Sequence, residues 1–163
     1  MGSLPSGLVD LQPYHLQEIM DLESLILQYA TNDFDQPTRK EILRRFLNWA
    51  LEKKCVSKGW ECENGKLIAY FFLVTDPELI QTFFHPREMK LSHCAYLAQI
   101  VVHPEHQGSG VGSYLMDYIE SQAKASGKDN LLLEVHSQSK AYPWYQNRDY
   151  KEVCSQVFMN KKL

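Results

Sequence analysis

The chain has 163 residues, 44% of them hydrophobic and 23% charged, with a net charge of −3. That length suits one domain, residues 1–163, with a core of its own, and the composition is ordinary for a soluble globular protein. The mild negative charge argues against nucleic acid as a partner and favours cationic over anionic substrates.

Residues 7–12 alternate apolar and polar side chains and read as a first strand, ended by Pro13. Leu16, Ile19, Met20, Leu22, Leu25, Ile26 and Tyr29 then recur at near-helical spacing. Residues 30–37 form a polar break. Thr38, with Glu41 three residues on, makes a capping-box pattern and predicts the start of a second helix. Its buried stripe is Ile42, Leu43, Phe46, Leu47 and Ala50. Residues 60–63 and 66–74 flank Asn64-Gly65 and predict a hairpin with positive φ at both turn positions. Residues 75–90 read as a long connection of the kind that walls a binding site, with aromatics at Phe83-Phe84.

Residues 94–103 predict a fourth strand. Residues 110–126 predict a helix with the stripe Val111, Tyr114, Leu115, Tyr118, Ile119 and Ala123, closed by Gly127. Residues 131–136 predict a fifth strand, 139–148 a short helix, and 152–161 one or two final strands. A single strand–helix–strand crossover makes the fourth and fifth strands parallel. The class is α/β, a mixed sheet with helices on both faces.

Cys55, Cys62, Cys94 and Cys154 form no C-x-x-C pair, and no histidines stand at zinc-ligand spacing. Reduced thiols, no metal and a cytoplasmic location are the expectation. The longest apolar run, residues 67–74, suits a buried strand and is too short to span a membrane, so no membrane partner is expected. Met1-Gly2-Ser3-Leu4-Pro5-Ser6 formally matches an N-myristoylation signal. A vector-derived or flexible terminus over residues 1–6 is the simpler reading.

The most informative segment is Val102-His103-Pro104-Glu105-His106-Gln107-Gly108-Ser109-Gly110-Val111-Gly112. A strand enters a glycine-rich turn and a helix leaves it, which aims backbone N–H groups and the helix dipole at one anion. A cap for that helix needs one glycine, and this turn has several. No lysine follows, as a P-loop requires, and the turn comes too late in the chain for a dinucleotide fold.

Gln107-Gly108-Ser109-Gly110-Val111-Gly112 matches Q/R-x-x-G-x-G/A, the coenzyme A pyrophosphate loop of the GNAT N-acetyltransferases. Alone, that pattern arises by chance in about one in six chains of this length. Its setting makes it specific. Val102-His103-Pro104 resembles the family's V-x-P, residues 130–135 resemble its fifth strand, and Ala141-Tyr142-Pro143-Trp144-Tyr145 resembles A-x-x-x-Y. Asp149-Tyr150 stands where the family usually has Gly-Phe, and Asp tolerates positive φ. The strong resemblance covers residues 95–150.

The resemblance implies a mixed, mainly antiparallel sheet of six to seven strands, flanked by helices, with one parallel crossover. It implies acetyl-CoA as cosubstrate, no metal, and a primary amine as acceptor, whether small molecule, polyamine or peptide. A homodimer is compatible with it. Gln107, Gly108, Ser109, Gly110, Val111, Gly112 and Ser113 would hold the pyrophosphate. The backbone of Ile100, Val101 and Val102 would pair with the pantetheine arm, and a strand N–H there would polarise the thioester carbonyl. Gln138 replaces the family's usual Asn beside that arm.

Acetyl transfer to an amine needs a proton acceptor, because an amine of pKa near 10.4 is neutral only about 0.04% of the time at pH 7. By resemblance Glu134 is the base and Tyr145 the acid that meets the sulfur. His136, two residues on, shares a strand face with Glu134, and Glu61 is a lower-ranked alternative base. A packed aromatic and a solvent-facing carboxylate are the structural readings of Tyr145 and Glu134. A coenzyme-binding regulatory module without catalysis is the alternative function, and transfer of a longer acyl group is a third. The acceptor side carries Asp33, Asp35 and Phe83-Phe84-His85, residues that suit a cation and equally suit a solvated loop.

Overall fold

A strand of unbroken apolar residues stays dry only if helices cover both of its faces. β3 (Leu67–Val74) is such a strand, buried at every position. The computed structural model describes residues 7–27, 36–83 and 90–154. The sheet runs in the order β1 (Leu8–Asp10), β2 (Cys55–Glu61), β3, β4 (Cys94–Val102), β5 (Asn130–Leu133). All neighbours are antiparallel except β4 and β5, which are parallel, as the crossover requires.

Helices α1 (Leu16–Leu27) and α2 (Gln36–Leu51) cover one face. There Ile19, Leu22, Leu43 and Phe46 pack on Tyr70 and Phe72, with Phe46 stacked on Phe72 at 5.0 Å. A short helix, α3 (Pro77–Phe83), lies within the expected 75–90 connection. The other face carries α4 (Val111–Ala125) and α5 (Ala141–Gln146). There Val111, Leu115, Met116 and Ile119 meet Ile68, Phe71 and Leu73. Gly127 ends α4 with φ +71°, Lys128 N–H bonding Ala123 O and Gly127 N–H bonding Lys124 O, the closure expected of that glycine.

Several expectations need correction. The described residues form five of the expected six to seven strands; of the expected final strands, residues 152–154 are outside the sheet and residues 155–161 lie outside the described residues. β2 begins at Cys55, not at 60, because its alternate residues Ser57 and Gly59 are too small to mark a strand. α2 begins at Gln36, so Thr38 is within the helix and is not its cap. The hairpin turn has three residues instead of two. Gly65 N–H bonds Cys62 O, Cys62 N–H bonds Lys66 O, and only Gly65, not Asn64, takes positive φ. β5 stops at Leu133, so Glu134 and His136 lie past the strand. α5 starts at Ala141, with Pro143 in its first turn, where a missing N–H costs nothing. Asp149 takes φ +65°, as its place in the pattern suggests.

Candidate active site

The glycine turn is built for close approach. Gly108 and Gly110 take φ of 77° and 94°, in the left-handed region that favours glycine. The N–H groups of Gly108, Gly110, Val111, Gly112 and Ser113 have no acceptor among the described residues. They cluster at the N-terminus of α4, so the fixed partial charges and the helix dipole add. A Cβ at Gly112 would meet Val102 Cγ2 at 3.7 Å and Trp144 Cζ2 at 3.8 Å, ordinary contact distances that explain why Gly or Ala suits this position. These open donors fit a pyrophosphate.

The turn is held from β4. Gln107 donates from Nε2 to Val102 O at 3.2 Å, so its side chain braces the loop. His103 Nδ1 accepts Glu105 N–H, and Ser109 Oγ donates to His106 O at 2.5 Å.

Above the turn, β4 and β5 part. They pair from Cys94 with Asn130 to Leu97 with Leu133 and no further. Among the described residues, β4 beyond Leu97 keeps only β3. His103 N–H bonds Ile68 O, and antiparallel alternation then turns the backbone of Val101 toward β3 and those of Ile100 and Val102 toward the open side. A β-bulge at Ala98 marks the start of the gap, because Leu73 pairs with Leu97 and Phe72 with Gln99.

Glu134 follows the last β5 residue and is exposed. Burial, and after it the Glu134 charge, pushes the Tyr96 hydroxyl up to about 12, which puts Glu134 near Tyr96. Tyr96 packs with the α1–α2 core. Tyr145 belongs to the opposite core, 7% exposed, its ring against Trp144 and Tyr150. Burial pushes its hydroxyl up to about 12, with Arg148 pulling the other way. Glu134 and Tyr145 both line a groove along β5, which includes no residue of β4 or of the glycine turn.

Other candidates sit elsewhere. His136 is exposed, and its Nδ1 accepts the N–H of Gln138 at 3.1 Å, closing a turn. Glu61 faces His15 at 3.4 Å on β2, with β3 and β4 between it and the gap. Asp33, Asp35, Phe84 and His85 lie outside the described residues. Phe83 stacks between Phe46 and Tyr96, at 5.7 Å from each.

Sequence reasoning missed a buried polar cluster beside the gap. Glu23 of α1, 4% exposed, accepts Arg39 Nε at 2.7 Å and Nη2 at 2.5 Å, the Tyr70 hydroxyl at 2.8 Å, and the Gln99 amide. The available signal was a glutamate four residues after Ile19, inside the apolar stripe, and a glutamine inside an apolar strand.

A family model described as the acetyltransferase (GNAT) family matches residues 17–150. The chain belongs to that family. Its fold is similar to that of aminoglycoside 6′-N-acetyltransferase from Acinetobacter haemolyticus (TM-score 0.65, 17% identity, 97% of this chain and 99% of that one). Ribosomal-protein-alanine N-acetyltransferase from Brucella melitensis biovar Abortus 2308 is similar too (TM-score 0.65, 15% identity, 94% and 97% of the two chains). So is an acetyltransferase from Trypanosoma brucei (TM-score 0.62, 15% identity, 94% and 98%). Among the described residues no helix is long and apolar enough to cross a membrane.

Proposed function

We propose that this protein is an acetyl-CoA-dependent N-acetyltransferase acting on a primary amine by direct attack within a ternary complex. One observation carries the reading: the gap beside Ile100 and Val102 leads along β4 straight into the open glycine turn. One extended ligand with phosphates at its end fits both. When bound, acetyl-CoA supplies an acetyl group activated as a thioester.

The chain's residues then divide the work. The N–H groups of Gly108, Gly110, Val111, Gly112 and Ser113 hold the pyrophosphate. The Ile100 N–H, turned into the gap, polarises the acetyl carbonyl. Glu134, on the side of Tyr96, accepts the amine proton as the N–C bond forms. Tyr145, on the other side, faces the sulfur as the C–S bond breaks. Its hydroxyl, pushed up to about 12, stays protonated at neutral pH and donates to the departing thiolate. Base and acid thus act from opposite faces of one opening in the sheet. Detection of N-acetyl products by mass spectrometry, over aminoglycosides, polyamines and peptide α-amines, tests the reading and identifies the acceptor class. Binding of acetyl-CoA with no product from any amine would mark a coenzyme-binding module instead.

A further inference from the structure

We propose that Glu23 is a positioning residue for acetyl transfer: through Gln99 it locks the β4 bulge that opens the gap and aims the Ile100 N–H. The inference rests on the reading of the gap as the thioester site.

Side-chain alternation along β4 breaks at Ala98. Along β4, Tyr96 packs with the α1–α2 core, Leu97 with the α4 core and Ala98 with the α1–α2 core again. Gln99 is next and belongs by alternation on the α4 side. Its amide instead bonds Glu23 of α1. Ile100 then returns to the α4 side. Two adjacent side chains on one face are the mark of one extra residue, and Ala98 is that residue.

The bulge and the Gln99–Glu23 bond therefore require each other. Without the bulge, Gln99 would point into the apolar α4 core, and Glu23 would lose a donor. Glu23 cannot follow it, because Arg39 and Tyr70 hold the carboxylate in place. Pairing between β4 and β5 ends at Leu97, the residue before the bulge. The same extra residue sets which β4 backbone groups beyond it face the gap. A buried ion pair between α1 and α2 thereby fixes the backbone donor on which the reaction depends.

Gln99→Met tests this. It removes the amide, keeps the length of the side chain and leaves Glu23 its bonds to Arg39 and Tyr70. The readout is the carbonyl stretch of bound acetyl-CoA carrying ¹³C at the carbonyl, measured by isotope-edited infrared spectroscopy. The parent protein should lower that frequency relative to free acetyl-CoA. Gln99→Met should return it most of the way, reduce kcat at least about tenfold, and leave CoA affinity within about twofold. Glu23→Gln should act in the same direction. A variant that loses thermal stability while keeping both the lowered stretch and kcat would show a structural role only and overturn the inference. No lowered stretch in the parent would overturn the reading of the gap itself, and the inference with it.

Discussion

Leu97 pairs with Leu133, and theirs is the last rung between β4 and β5. Glu134 follows one of these residues and the bulged Ala98 follows the other. Glu134 thus stands beside that rung, near Tyr96, while Tyr145 lies in the core on the α4 side. On the proposed mechanism Glu134 is the base and Tyr145 the acid.

Glu134→Gln should lower kcat/KM for the amine about 10²–10⁴-fold, the range of a positioned general base. Because Glu134 is exposed and outside the strand, its replacement should leave the fold unchanged. Calorimetric CoA affinity should stay the same. Full activity at neutral pH would remove Glu134 from the mechanism.

Tyr145→Phe keeps the ring packed against Trp144 and Tyr150 and deletes only the hydroxyl. Turnover should fall about 10²-fold while KM for acetyl-CoA changes less than about twofold. Equal losses in turnover and coenzyme affinity would instead indicate a packing role.

Gly110→Ala and Gly112→Ala should separate backbone strain from contact. Gly110 has φ 94°, so a Cβ there costs about 1–2 kcal/mol or reshapes the turn. CoA affinity should fall. At Gly112 the added methyl meets Val102 and Trp144 at ordinary distances, and affinity should hold. Titration of both variants with CoA reads the difference directly.

How much of this is legible in the sequence depends on range. The glycine turn is legible because Gly108 and Gly110 adopt conformations few other residues accept, so composition reports geometry. Gly127 announces the end of α4 for the same reason. The bulge is not legible, since Ala98-Gln99-Ile100 reads as strand in either register. Glu23 meets Arg39, Tyr70 and Gln99 across 16, 47 and 76 residues, and no local pattern encodes such contacts. The end of β5 is misread because alternation through Val135 and His136 reports facing, not whether a neighbouring strand remains to pair with.

Stability should fall on the alkaline side. The hydroxyls of Tyr96 and Tyr145 are pushed up to about 12, and that of Tyr70 is raised too, chiefly by burial. The folded state therefore holds these protons more tightly than the unfolded chain does. Their stabilisation is complete below the ordinary tyrosine value near 10 and is lost as pH rises through the folded values. Tm should be level from about pH 8 to 10 and drop above it, with a shallower drop in Tyr145→Phe. A Tm that holds steady beyond pH 11 (roughly midway through that window) would contradict this.

The proposed activity is acetyl transfer from acetyl-CoA to an amine in one complex. Free-thiol release, followed with each amine present and absent, measures it most directly. The expected result is release that requires an accepted amine and matches N-acetyl product one for one. Release without amine, or tight acetyl-CoA binding with no amine-dependent release, would contradict it.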